Sequence, residues 1–299
     1  MKLYNDYSSY LKEKYGCKVY RIGLDAGFSC PNRCIYCNED GSRSPYADPM
    51  EPIQKQFSSR IEYLKKTRDA AKFIAYFQAF TNTNAPADQL KNIYDQVLPF
   101  EGIVGLSIGT RPDCIDVDKL KLISSYKNKY KVWLEYGLQS IHDRTLKAIK
   151  RGHNFDDFLK TYNETKKFSI PVCVHVILGL PGETREDMIE TAQKLTELKV
   201  NGVKIHLLHV LKGSELEKLY KEGKVKVLEQ EEYAGLVCDF LENLSEDIVI
   251  QRLTGEGRRS DHIAPSWALD KIGTIQKIKE TLVNRGSCQG IKCNNLSEN

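Results

Sequence analysis

Short apolar segments alternate with amphipathic helical segments between Val19 and Tyr220, and this alternation constrains the fold more than any other property of the chain. The apolar runs are Val19–Asp25, Phe73–Phe77, Ile103–Ile108, Val132–Leu138, Val172–Leu178 and Val203–Leu211. Between them, Ile53–Lys66 places Ile53, Phe57, Ile61 and Leu64 at helical spacing, and Pro86 opens a helix over Leu90, Ile93, Tyr94 and Val97. Val117–Tyr126, His142–Lys150, Phe155–Phe168, Arg185–Leu198 and Glu215–Tyr220 repeat that pattern. Strand followed by helix, about six times over, predicts an α/β fold with a parallel sheet and crossover helices. The strands show no polar alternation, as expected when both faces are covered. A complete eight-fold barrel needs about 250 residues for its repeats. Six units therefore predict a partial, open (β/α)6 TIM-like barrel, although periodicity alone leaves a doubly wound sheet open. After residue 225 the rhythm changes to a helix over Glu229–Leu244, a strand over Ile248–Leu253 and a helix over Trp267–Val283. The expected organisation is a barrel over residues 1–224 and a C-terminal α/β extension over 225–299 that adds substrate contacts.

Composition excludes several classes. With 44 Lys and Arg against 40 Asp and Glu the net charge is +4, and 41% hydrophobic with 28% charged residues is ordinary for a globular enzyme. No stretch approaches the roughly 18 apolar residues of a membrane helix. The opening MKLYNDYSSYLKEKYG lacks the apolar core of a secretory signal. A cytoplasmic protein without a membrane partner is expected.

Nine cysteines need an account, and cytosolic thiols stay reduced, so a disulfide framework is a poor one. Three of them cluster: Cys30, Cys34 and Cys37, spaced C-x3-C-x2-C in a loop after the first strand. Three readings stand. The cysteines are buried structural thiols, which the polar loop with Pro31, Asn32 and Arg33 disfavours. They bind zinc, with Cys17 as the fourth ligand. Or they hold a 4Fe-4S cluster by three thiolates, leaving one iron open. The loop position favours the last, because active sites of such barrels form at the C-terminal ends of the strands.

C-x3-C-x2-C with the aromatic Tyr36 before the last cysteine resembles the radical S-adenosylmethionine (SAM) superfamily. Tyr20–Asp25, Tyr76–Thr83, Ser107–Asp113, Glu135–Ser140 and Leu178–Glu183 together resemble its YhcC/YtqA-like subfamily, similar in its core to the elongator catalytic subunit and to oxygen-independent coproporphyrinogen oxidases. The resemblance implies one 4Fe-4S cluster on Cys30, Cys34 and Cys37. Its open iron chelates SAM, and reductive cleavage gives a 5′-deoxyadenosyl radical that abstracts a hydrogen atom. It also implies an electron donor such as flavodoxin or ferredoxin.

A SAM pocket needs polar groups on an apolar floor. Gln78 and Thr81 follow the second strand and suit the methionine amine. Arg111 suits the SAM carboxylate, with Asp113 holding it. Glu135, a charge inside an apolar strand, must face a partner, and with Gln139 and Ser140 it is expected at the ribose or amine. Gly179 and Gly182 resemble the superfamily's adenine-side glycines, and Val210 and Leu211 would floor the adenine. His206 and His209, three apart on a strand, should point to opposite faces. His175 reads as a core histidine. No catalytic acid or base is assigned.

Residues 119–151 hold nine Lys and Arg against Glu135 and Asp143, which reads either as solvated helix faces or as a phosphate-contacting strip. Arg151 and His153 there, and Arg252, Arg258 and Arg259 near the C-terminus, are candidates for an anionic substrate. The subfamily resemblance implies tRNA as partner, modified at the wobble uridine side chain. The alternatives are a porphyrinogen-like small molecule, or a zinc-dependent nucleic-acid-binding module without turnover.

Overall fold

The fold was analysed in a computed structural model that describes residues 2–38, 43–255 and 259–293. Seven strands form one parallel sheet: β1 (Val19–Leu24), β2 (Lys72–Phe77), β3 (Ile103–Thr110), β4 (Lys131–Gln139), β5 (Val172–Leu178), β6 (Gly202–Leu207) and β8 (Val249–Arg252). They lie in sequence order across the sheet, every neighbouring pair parallel. A short antiparallel pair, β7 (Val210–Leu211) with β9 (His262–Ala264), stands beside it. The expected open barrel is thus present with seven strands rather than six, because the strand expected in the extension completes the main sheet through β6.

The helices are α1 (Tyr7–Tyr15), α2 (Ile53–Arg68), α3 (Ala87–Tyr94), α4 (Val117–Ser125), α5 (Asp143–Ala148), α6 (Phe155–Lys167), α7 (Arg185–Leu198), α8 (Glu215–Lys221), α9 (Gln230–Glu242) and α10 (Lys271–Asn284). Local sequence starts several of them. Asn154 with Asp157 and Thr184 with Asp187 form capping boxes at α6 and α7, satisfying amides that the first turn leaves free. α1 is capped by Asp6, which accepts from Ser9 N, and stops at Gly16 with φ 72°. That helix is poorly marked in the sequence, since only Tyr7 and Leu11 are buried.

The outer core lies between the sheet and its helices, with Phe57, Ile61 and Leu64 of α2 packed on it as their spacing requires. On the inner face, Tyr7 and Leu11 of α1 meet Ile74, Trp133, Cys173 and Val249. Tyr7 and Trp133 pack edge to face at 5.8 Å. Gly202 makes room for that indole: a Cβ there would lie 3.1 Å from the Trp133 ring. Replacing such a buried tryptophan by alanine costs about 3–5 kcal/mol. This aromatic plug closes the inside of the sheet at one end and leaves the other open.

The expected strand Val203–Leu211 is corrected. β6 stops at Leu207, Leu208 N donates to Leu178 O, and the chain resumes as β7 against β9. The last helix begins at Lys271, after a 3-10 turn over Ser266–Leu269. No helix of the described residues is long and apolar enough to cross a membrane.

Candidate active site

A cavity of about 910 Å³ occupies the inner face of the sheet. Its wall includes Cys30, Tyr36 and Cys37 of the loop after β1, and Gln78, Thr81, Arg111, Glu135 and Gln139 from the ends of β2, β3 and β4. The three cysteines are free thiols drawn toward one side. Cys37 N donates to Cys34 O at 3.1 Å, turning the loop back on itself, and Cys30 Sγ lies 3.1 Å from Thr81 Oγ1. Arg151 Nη1 reaches Cys34 Sγ at 3.4 Å. Hydrogen bonding from Cys37, with the charge of Arg151 beside it, holds the Cys34 thiol down to about 5 against burial. Two of the sulfurs, those of Cys30 and Cys37, line the cavity and the third, of Cys34, is buried beside Arg151, a clustered thiol set that fits a metal cluster better than scattered inert thiols.

Arg111 is 2% exposed and grips Asp113 in a fork, Nε to Oδ1 at 2.9 Å and Nη2 to Oδ2 at 2.7 Å. Its Nη1 is buried without a partner among the described residues. A buried guanidinium nitrogen left open on a cavity wall is the donor that a ligand carboxylate requires. Gln139 sits at φ 79° and Phe80 at φ 58°, both on this wall. Non-glycine residues in the left-handed region cost free energy and concentrate at functional sites.

Deeper in the cavity, Glu135 is fully buried. Arg21 Nη2 donates to its Oε1 at 2.7 Å, His175 Nε2 lies 2.9 Å from its Oε2, and Lys204 Nζ donates to the same oxygen. Burial alone would raise this carboxyl, but Arg21, Lys204 and His175 hold it well below the carboxylate range. Lys204 also donates to Tyr76 Oη at 2.9 Å, and Arg21 lies 4.0 Å from the centre of that ring. Burial and the neighbouring Arg21 push Lys204 down to about 7 despite Glu135. Arg252 of β8 adds a further positive charge here. His175 and His206 meet at a tilt of 42° with ring centres 5.3 Å apart, and His206 Nε2, His209 Nε2 and Gln251 Nε2 are buried without partners among the described residues.

Several expected site residues lie elsewhere. Ser140 does not line the cavity; its hydroxyl donates to Glu183 and accepts from His142 N at 3.1 Å. Gly179 and Gly182 line a separate cleft of about 620 Å³ with Arg185, Leu228 and Asp239. Leu228 lies so near Gly179 that a Cβ would come within 2.8 Å of it. Leu211 reaches the cavity, but Val210 is buried in a cluster with Ile149, Ile177 and Leu180. His206 and His209 both line the cavity, because the break after Leu207 undoes strict alternation. Arg151 is not on the rim: it is buried, with Nε and Nη2 bonded to Gly137 O at 3.1 and 2.6 Å. His153 is also buried, its Nε2 3.3 Å from Gly137 O, and burial beside Arg151 pushes it down to about 4. Four of the nine basic residues of the strip pair with acids, as Lys119–Asp116, Lys121–Asp118, Arg144–Asp187 and Lys150–Glu215. Arg259 is exposed, and Arg258 lies outside the described residues. His175, expected in the core, is on the cavity wall. Arg21 and Lys204 lie outside the sequence expectation, yet both are charges inside apolar strands, the same signal that marks Glu135.

Known proteins resemble this chain in sequence and fold. Residues 24–195 match the family described as Radical SAM superfamily, and residues 200–284 match the Radical_SAM C-terminal domain. The protein YtqA of Bacillus subtilis (strain 168) is 39% identical over 297 residues, 97% of this chain and 92% of that protein. A tRNA uridine(34) acetyltransferase of Methanocaldococcus infernus (strain DSM 11812 / JCM 15783 / ME) is 31% identical over 133 residues, 43% of this chain and 24% of that one. Among solved structures, Elp3 of Methanocaldococcus infernus with an N-terminal deletion superposes with a TM-score of 0.70 at 18% identity, covering 91% of this chain and 64% of that chain. Family match, half-barrel and cysteine loop agree: the chain belongs to the radical SAM superfamily, whose members use a 4Fe-4S cluster and SAM.

Proposed function

We propose that this radical SAM enzyme modifies the side chain of the wobble uridine of tRNA. In this reading Cys30, Cys34 and Cys37 hold the cluster, and Arg111 with Gln78, Thr81 and Gln139 holds SAM. When bound, the cluster would supply one-electron reductive cleavage of SAM, its electrons drawn from a donor of flavodoxin or ferredoxin type. The residues around it orient and shield. Arg111 fixes a carboxylate, the aromatic plug of Tyr7 and Trp133 excludes water from below, and Arg252, beside the Arg21–Glu135–Lys204 group, offers its charge to an anionic group on the substrate.

The observation that carries the reading is the cavity itself: about 910 Å³, with cysteines on one wall and a surplus of positive charge on Glu135 at its floor. A flipped base entering it head first is the standard way to bring a nucleotide side chain to buried chemistry. The relative named for uridine(34) of tRNA supports the substrate class. A deletion strain tests it: mass spectrometry of digested tRNA should show a changed wobble uridine nucleoside, and an unchanged profile rejects the tRNA reading. Purified, reconstituted enzyme should release 5′-deoxyadenosine; S-adenosylhomocysteine alone would indicate methyl transfer instead.

A further inference from the structure

An exposed stack of two tyrosines and an arginine adjoins the cavity mouth. The Arg60 guanidinium lies 4.3 Å from the centre of the Tyr46 ring and 4.4 Å from that of Tyr63. One guanidinium thus contacts both rings. Tyr46 is 42% exposed and Tyr63 50% exposed, unusual for large aromatic side chains in this chain. No acidic side chain pairs with Arg60 among the described residues, whereas Lys55 on the same helix is paired with Glu51. The stack is joined to the site at one end: Tyr46 Oη accepts from Gly23 N at 2.9 Å, near the end of β1, and Tyr46 lies on the cavity wall. From there it runs outward along α2.

We propose that Tyr46, Arg60 and Tyr63 form a stacking platform for the unpaired nucleobases that flank the base delivered into the cavity, a role that rests on the RNA reading above. Flat aromatic faces accept any base, and a guanidinium in contact with both rings orders them and adds positive charge for the backbone. The un-neutralised charge favours a polyanionic strand as the occupant. Because Tyr46 is both cavity wall and first rung, a strand with one base inside has its neighbours placed over the remaining rungs.

Binding of a synthetic anticodon stem-loop to the full-length reconstituted protein tests this, read by fluorescence anisotropy against a fully paired hairpin of equal charge. Tyr63→Ala should weaken stem-loop binding about ten-fold while hairpin binding and SAM binding stay at wild-type levels, and Arg60→Ala should weaken the stem-loop by about ten-fold and the hairpin by several-fold less, with SAM binding unchanged. Arg60→Lys should also weaken it, since the charge remains but the plane is lost, whereas Tyr46→Phe, which keeps the ring, should bind normally. If the wild type binds neither RNA, the RNA reading fails and the platform with it. If the wild type prefers the stem-loop and Tyr63→Ala binds it equally well, the platform alone is wrong. Equal weakening on both RNAs, or full binding by Arg60→Lys, also overturns it in favour of plain charge attraction.

Discussion

Arg21 on β1 and Glu135 on β4 meet across the cavity at 2.7 Å, although two strands separate them in the sheet. An inward curve of the sheet is what lets them touch, and Lys204 joins from the far side. Removing one member of a buried ionic group leaves the others uncompensated, which costs about 3–5 kcal/mol. Glu135→Gln should therefore lower the urea unfolding free energy by about that amount. A loss below roughly 1 kcal/mol would mean that water or a neighbouring acid already compensates Arg21 and Lys204.

The buried histidines give the chain a defined acid sensitivity. Burial pushes His175 and His209 down to about 4 and His206 well below its ordinary value. Each is neutral in the folded chain but binds a proton more readily when unfolded. Their contribution is complete above about pH 6.5 and is lost as pH falls toward 4. Glu135, held low, acts in the same direction at still lower pH. Urea midpoints of the wild type should fall steeply between pH 6.5 and 4, and His206→Asn should flatten that slope. An unchanged slope would show that His206 is hydrated in the folded state.

The cysteine loop predicts a sharp division among thiols. Cys30→Ala, Cys34→Ala and Cys37→Ala should each abolish the brown absorbance obtained on anaerobic reconstitution, while Cys17→Ala should keep it. Iron and sulfide analysis checks this. Loss of iron in Cys17→Ala would reassign the ligand set.

Arg111 offers a test of SAM recognition separate from turnover. Lysine keeps the charge but cannot fork onto Asp113 and still present a third nitrogen, so Arg111→Lys should raise the SAM dissociation constant roughly ten-fold. Equilibrium dialysis on the reconstituted protein measures it. Unchanged affinity would move the carboxylate contact elsewhere, with Arg151 next in line on the same wall.

Much of the fold was legible because parallel strands buried on both faces read as unbroken apolar runs; Phe73–Phe77 and Val172–Leu178 coincide closely with β2 and β5. The break after Leu207 was not, since Leu208 and Val210 are as apolar as the strand they follow and only pairing with β9 separates them. The site was legible where chemistry contradicts its surroundings, as with clustered cysteines in a polar loop or Glu135 in an apolar strand. It was illegible where direction decides. Ser140 follows Gln139 in sequence, but the left-handed turn at Gln139 sends the two side chains to different places. Arg151 looks like one more surface cation until the fold turns it inward onto Gly137 O.

The sheet is not a closed ring. Between its edge strands β1 and β8, the wall includes the Arg21–Gln251 contact at 3.0 Å, a bridge from Asp6 to Ile250, Gln289 tied to Leu3 and Asn5, and the packing of Tyr7 and Leu11 on Val249. Every neighbouring pair of strands in the sheet is joined by a backbone ladder, whereas β1 and β8 share none among the described residues, and the plug residue Tyr7, which follows Asp6 directly, spans that edge between Arg21 and Val249.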